Sequence, residues 1–294
     1  MVLPLCLGDM VKERRFRNTQ APEIRKQPPP PAAVARRGVP PLLRGLGAGL
    51  QATVDWVLPP RCALCSGMIG GRDGLCGDCF TRMHFLADPL CERFGRPTSV
   101  QETSPTCAPC LTAPPGYDWL RAAFAYDDAS RALILALKYR DRLDVVPSLA
   151  RWMAGAAGAQ IERDDVIIPV PLHWRRYLAR RFNQSAALAK ALADYTGAVY
   201  APEWVQRTRN TPPMKAMNRQ QREANVRGAF AIAEQQRGAL RGKRVVLVDD
   251  VYTSGATIEE LSAELRACEV SRIGVAVVAR VVNHTHFLQE FELE

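Results

Sequence analysis

Two adjacent carboxylates, Asp249 and Asp250, follow an apolar run from Val245 to Val248. They precede a short loop of hydroxyl-bearing and small residues: Thr253, Ser254, Gly255, Ala256 and Thr257. Ionised aspartates only accept hydrogen bonds, so a neighbouring pair suits two adjacent hydroxyls of a sugar. The apolar run reads as a buried strand, and the residues from Ile258 as an acidic, apolar-patterned helix. A helix N-terminus offers free N–H groups and the positive end of its dipole to an anion. Gly255 lets the backbone turn and come close to that anion. A strand, two sugar-binding acids and a phosphate cradle, in that order, form the layout that a ribose 5-phosphate requires. Thr257-Ile-Glu-Glu260 also fits a capping box with Thr257 as its cap, but capping leaves the paired acids unexplained.

A second constellation is built from cysteine. Cys62 and Cys65, then Cys76 and Cys79, are two Cys-x-x-Cys pairs. Each pair can grip one metal from a tight turn, and two pairs complete the tetrahedral thiolate shell of a structural zinc site. The loop between them is shorter than usual for such sites. Disulfides are disfavoured if the chain is cytoplasmic, as expected here. Cys107 and Cys110 form a third pair with Cys91 upstream, but the position where Cys91 would find its partner holds Phe94. A second zinc there has three thiolates and needs His84 or water. Cys6 and Cys268 have no partner in this pattern.

Cations recur near the expected ends of elements. Arg175 and Arg176 follow Ile168-Pro169-Val170-Pro171, and Arg180 lies just before Phe182-Asn183, with Asn183 placed to cap a helix. Lys138 falls at a predicted helix end. Arg219 and Arg222 are three apart, which places them on one helix face. These six are the candidates for holding pyrophosphate or another polyanion, a task in which positioned charge supplies most of the effect. Trp174, Tyr177 and Phe182 lie among the arginines, a pattern compatible with stacking on single-stranded bases or with core packing. No Gly-x-x-x-x-Gly-Lys loop is present, which argues against an ATP motor, and nothing resembles a Ser-His-Asp nucleophile elbow.

The elements that must position these groups alternate. Strands are expected at 122–126, 165–171, 204–207, 245–248 and 273–282, and helices at 129–138, 145–156, 184–195, 218–225 and 258–267. Such alternation predicts an α/β fold with a parallel sheet flanked by helices. Four regions follow: a basic, Pro-rich, disordered tail over 1–40, an amphipathic helix over 41–58, a Cys-rich zinc-binding module over 59–112 and the α/β domain over 117–284. No internal repeat is evident. At 294 residues with 47% hydrophobic content the chain can bury a real core. No apolar run is long enough to span a membrane, and no secretory signal is visible. The net charge of +9 is uneven: residues 170–229 hold eleven Lys/Arg and three acids. That block suits a polyanionic ligand or a nucleic-acid backbone.

Taken in order, the cysteine module, Lys138-Tyr139, Pro169-Val170-Pro171-Leu172, Arg180-Arg181-Phe182-Asn183-Gln184, the Arg/Asn cluster and the Asp249-Asp250 loop resemble the ComF family. These are competence-associated, amidophosphoribosyltransferase-like proteins. The resemblance covers about 42–282. It implies a type I phosphoribosyltransferase-like sheet with an N-terminal zinc module and a site for phosphoribosyl pyrophosphate (PRPP) with Mg²⁺. In that site Asp249 and Asp250 hold ribose hydroxyls, and residues 253–257 cradle the 5-phosphate. It further implies assistance to DNA uptake in natural transformation, with single-stranded DNA and a helicase-like protein as partners. Two other functions fit the same residues: a metabolic phosphoribosyltransferase of purine-salvage or amido type, and a non-catalytic accessory that binds single-stranded nucleic acid. Arg181 stands where the family usually has glycine, and Pro213-Met214 replaces a common Ser-Gln pair, so turnover stays open.

Overall fold

The structure is a computed structural model that describes residues 61–70, 74–98, 105–139, 142–173, 182–212, 214 and 217–282. The expected tail and first amphipathic helix lie outside these residues, as do Arg175, Arg176, Arg180, Arg181, Trp174 and Tyr177.

Five strands form one sheet in the order β1-β7-β6-β2-β3, every neighbouring pair parallel. They are β1 (Trp119–Ala125), β2 (Val166–Pro169), β3 (Val199–Tyr200), β6 (Arg244–Tyr252) and β7 (Arg272–Arg280). A parallel sheet is covered on both faces, and its central strands therefore read as unbroken apolar runs. β7 shows this most clearly, with every residue from Ile273 to Ala279 buried. Each fully buried Val, Leu or Ile side chain contributes about 1.5–3 kcal/mol. Helices follow the strands: α3 (Asp128–Tyr139), α4 (Val146–Ala157), α5 (Gln184–Thr196), α6 (Arg219–Val226), α7 (Glu234–Leu240) and α8 (Ala256–Arg266). Two short helices precede them in the cysteine module, α1 (Gly77–Thr81) and α2 (Ala108–Thr112). A separate antiparallel pair, β4 (Val205–Arg207) with β5 (Phe230–Ile232), stands apart from the main sheet. The three-residue β5 has no sequence pattern strong enough to announce it.

Three expectations are corrected. β6 does not stop at Val248 but runs on through both aspartates to Tyr252, because β7 stays paired with it to Arg280. α8 starts two residues early. Gly255 takes a left-handed conformation (φ 81°) and is itself the N-cap, so Thr257 sits inside the first turn and forms no capping box. The cysteine module also contains an internal repeat. Cys62 accepts N–H bonds from Cys65 and Cys76, and Cys91 accepts them from Phe94 and Cys107. Cys62 N–H donates to Gly67 O and Ser66 N–H to Cys62 O; Cys91 N–H donates to Arg96 O and Gly95 N–H to Cys91 O. Ser66 and Gly95 share a left-handed turn, at φ 59° and 57°. Cys76 caps α1, and Cys107 caps α2. The repeat is carried by backbone geometry, while the side chains have diverged at Phe94.

The module is fused to the sheet. Leu86 N–H donates to Ala123 O, Ala125 N–H to His84 O and Leu120 N–H to Arg93 O, so the chain covers the open edge of β1. Covering removes the unpaired groups that make an edge strand a liability. The first ribbon half places Cys62, Leu75, Cys79 and Met83 in the core on one face of the sheet, beside Leu133 and Trp152. Leu86, Leu90 and Phe94 join the core on the other face. Gly95 must lack a side chain, since a Cβ there would meet Leu120 O at 2.1 Å.

Candidate functional site: the carboxyl edge of the sheet

All five strands end on one side, and in open α/β sheets ligands bind in that crevice. β6 is central and carries Asp249 and Asp250 to it. Asp249 accepts a hydrogen bond from Ser185 Oγ at 2.8 Å and another from the Asp250 N–H at 2.9 Å. Ser185 is held in the first turn of α5, where Asn183 caps the helix by accepting from Ser185 N–H while its own amide donates to Val170 O. Loss of solvation around the Asp249 carboxylate, with the charge of Asp250 beside it, raises its pKa from 3.8 to about 7. Asp250 is ion-paired with Lys138 Nζ at 2.8 Å. The lysine comes from the last turn of α3, as its placement at a helix end predicts.

Beyond the acids the chain turns at Gly255 into α8, whose N-terminus has no side-chain cap. A Cβ on Gly255 would lie 2.3 Å from Tyr252 Oη, so this position demands glycine twice over, for its φ and for its space. Glu259 in the first turn accepts the Gly116 N–H, which turns that carboxylate toward the N-terminal linker of the domain. Arg222 reaches the loop from α6: it is buried, donates through Nε to Met217 O at 2.8 Å, and meets Thr253 Oγ1 at 3.4 Å. Arg219 does not accompany it. It is exposed and paired with Glu223 one turn on, because three residues advance a helix by less than a full turn and α6 buries only one edge. Asn225, in the same cluster, donates to Pro212 O.

Sequence reasoning did not single out Ser185 as a partner of Asp249, and it missed Tyr117 and Arg280. Tyr117 donates to Tyr252 Oη at 2.9 Å under the loop. Arg280 ends β7, buried, with its guanidinium 5.5 Å from the Tyr252 ring and 6.0 Å from the Phe94 ring. Its signal is a lone arginine closing an otherwise apolar run.

The cysteines fall into two groups. Cys62, Cys65, Cys76 and Cys79 bring their four sulfurs within 4.8 Å of one another, with Cys65 Sγ and Cys76 Sγ 3.7 Å apart. A tetrahedron of thiolates about 2.3 Å from a zinc ion has edges of about 3.8 Å, so the donor set fits zinc. Burial opposes the Cys62 thiolate, but backbone N–H groups from Cys65, Cys76 and Leu64 outweigh it and bring the pKa down to about 6. Burial and the neighbouring thiols push Cys79 up to about 12. Four thiols this close ionise together only around a cation. The second group is Cys91, Cys107 and Cys110 alone. His84, a possible fourth ligand, is paired instead with Asp127, and Cys268 lies near Arg237, outside both groups.

Residues 53–111 match the double zinc ribbon domain, and residues 184–287 match the phosphoribosyl transferase domain. Fold and site together define a phosphoribosyltransferase-fold protein carrying a double zinc ribbon. Competence protein F of Haemophilus influenzae (strain ATCC 51907 / DSM 11121 / KW20 / Rd) is 29% identical over 226 residues, 75% of this chain and 96% of the relative. DNA utilization protein YhgH of Escherichia coli (strain K12) is 29% identical over 70% of this chain and 90% of its own length. Competence protein ComFC of Bacillus subtilis (strain 168) is 22% identical over 63% of this chain and 74% of its own. The chain is similar in its two matched domains to these proteins named for competence and DNA utilization. Among the described residues no helix is long and apolar enough to cross a membrane.

Proposed function

We propose that this protein binds a 5-phosphorylated ribose, with PRPP and Mg²⁺ as the first candidate, in the crevice between Asp249-Asp250 and the start of α8. The observation that carries this function is an uncapped helix N-terminus entered through a left-handed glycine directly after two carboxylates on the central strand. The 5-phosphate accepts from the free N–H groups of the first turn and from the hydroxyls of Thr253, Ser254 and Thr257. The ribose hydroxyls donate to Asp249 and Asp250, which have lone pairs beyond those taken by Ser185 and Lys138. Mg²⁺ keeps several waters and is bound chiefly by the ligand's own phosphates. Among the described residues, the pairing of Lys138 with Asp250 and the approach of Arg222 to Thr253 support these two as cations for the ligand's phosphates. Relatives named for competence and for DNA utilization support a role in DNA uptake, and we extend that role to a cytoplasmic protein acting on imported single-stranded DNA beside a helicase-like partner.

The test is calorimetric titration of PRPP with and without Mg²⁺ against wild type and Asp250→Ala. Binding by wild type, weakened at least tenfold in the variant, supports the site. No heat from correctly folded wild type removes it. Turnover with a panel of bases and amines then separates a metabolic transferase from a ligand-gated accessory.

A further inference from the structure

Phe94 occupies the place in the second ribbon half that Cys65 occupies in the first. The two halves share their backbone hydrogen bonds, their left-handed turn, and a flanking antiparallel bridge, Arg61 with Met68 and Leu90 with Pro97. The scaffold for a four-thiolate site is therefore intact while one ligand is missing, and a closed structural zinc does not fit. The three remaining thiols have not drifted. Cys91, Cys107 and Cys110 are all buried, with their sulfurs within 4.8 Å of one another. Cys91 Sγ lies 3.8 Å from Cys110 Sγ, the edge of a thiolate tetrahedron around a single ion. Cys91 Sγ also accepts N–H bonds from Phe94 at 3.4 Å and Cys107 at 3.3 Å, which favour a thiolate there.

A second observation concerns charge. Arg280 is buried, and its Nε and Nη1 have no hydrogen-bond partner among the described residues. Phe94 and Tyr252 face its guanidinium, and Tyr117, Cys107 and a second cation, Arg96, are its charged or titratable neighbours, with no carboxylate among them. A buried guanidinium requires a compensating negative charge. A divalent ion held by three thiolates is a net monoanion, whereas three neutral thiols offer nothing. Phe94 packs against the three cysteines on one side and the sheet core on the other.

We propose that Cys91, Cys107 and Cys110 form a three-thiolate metal site for zinc or another thiophilic divalent ion, with its fourth coordination position filled by no described side chain and Arg280 as its buried counter-charge. The first ribbon half is closed and inert; the second exchanges. Open positions distinguish reactive from structural zinc sites.

The full-length chain, loaded with zinc and desalted, is challenged with a chromogenic chelator, and cadmium-loaded protein is followed by its thiolate charge-transfer absorption. Two zinc ions per chain are expected, released in two phases of equal amplitude, the fast one at least tenfold faster than the slow one. Cys107→Ser abolishes the fast phase alone. Phe94→Cys slows it to the rate of the first site. Arg280→Met lowers retention of the second ion without touching the first. One zinc per chain, with no cadmium–thiolate absorption beyond four thiolates, overturns the site. Two equally slow phases in wild type overturn its openness. Should Phe94→Cys or Cys107→Ser fail to fold, the stoichiometry and phases of the wild-type chain decide between these outcomes unaided.

Discussion

Asp249 is the residue in which the chemistry of the crevice is most concentrated. An unfolded aspartate loses its proton near pH 3.8, and the folded one does so near 7 because its carboxylate is poorly solvated and sits beside Asp250. Between those values the folded chain holds the extra proton, so this group lowers stability progressively as pH rises from about 4 to about 7. A ligand whose hydroxyl donates to the ionised carboxylate has the opposite dependence. PRPP affinity is expected to rise by up to about tenfold between pH 6 and pH 8 from this group alone. Asp249→Asn removes that part, and the ligand's own phosphate ionisation is common to both proteins, so the difference between their calorimetric profiles is the readout. Identical profiles would take Asp249 out of the site. Gly255 is equally exposed to test. With φ at 81° and Tyr252 Oη in the way of any Cβ, Gly255→Ala is expected to cost about 1–3 kcal/mol in denaturant unfolding and to abolish phosphate binding. A variant with unchanged stability would show that the turn relaxes freely.

At the scale of elements, the junction of β6 and α8 is made by its neighbours as much as by its own sequence. Ser185 is delivered by the capped start of α5, Lys138 by the end of α3, and Arg222 by the buried edge of α6. The first ribbon half acts on the opposite flank. It places Cys62 and Cys79 in the same core as Trp152 and Leu133, and the chain that follows it, from His84 to Arg93, lines the edge of β1. Zinc in that half therefore holds part of the domain core and not an appendage. Removing it with a strong chelator, or by Cys76→Ser, is expected to cost about 4 kcal/mol or more, a fall of about 10 °C in Tm for a domain of this size. A thermal scan in which the chelated protein melts with the untreated one would show the ribbon to be dispensable.

Across the whole molecule, charge is segregated. Residues 170–229 carry a net +8 (eleven basic groups less three acids) out of the total of +9, and this stretch contains the segment between β2 and α5 as well as α6. If imported single-stranded DNA is the partner, the basic stretch binds it through phosphates, and affinity should fall steeply with salt as counterions are released. A plot of log affinity against log salt measured by fluorescence anisotropy is expected to slope downward, and less so for a variant with Arg175 and Arg176 reversed to glutamate. A flat plot, or a slope indifferent to that reversal, would remove DNA from the list of partners. Arg222 is excluded from this surface by its burial beside Thr253.

Local sequence alone determined the parallel sheet, because strands buried on both faces must be written as unbroken apolar runs such as Ile273 to Ala279. It also determined the glycine-containing loop after the two aspartates and the first cysteine quartet, since both depend on residues close in the chain. The tertiary structure decided what depends on distant neighbours. Continued pairing with β7 carried β6 past its aspartates, and one-sided burial of α6 divided Arg219 from Arg222. Asp127 took His84 away from the second cysteine group, and a shared backbone geometry revealed the ribbon repeat that substitution at Phe94 had hidden. Side-chain pattern reports which face of an element is buried, but only packing reports what stands on the other side of it.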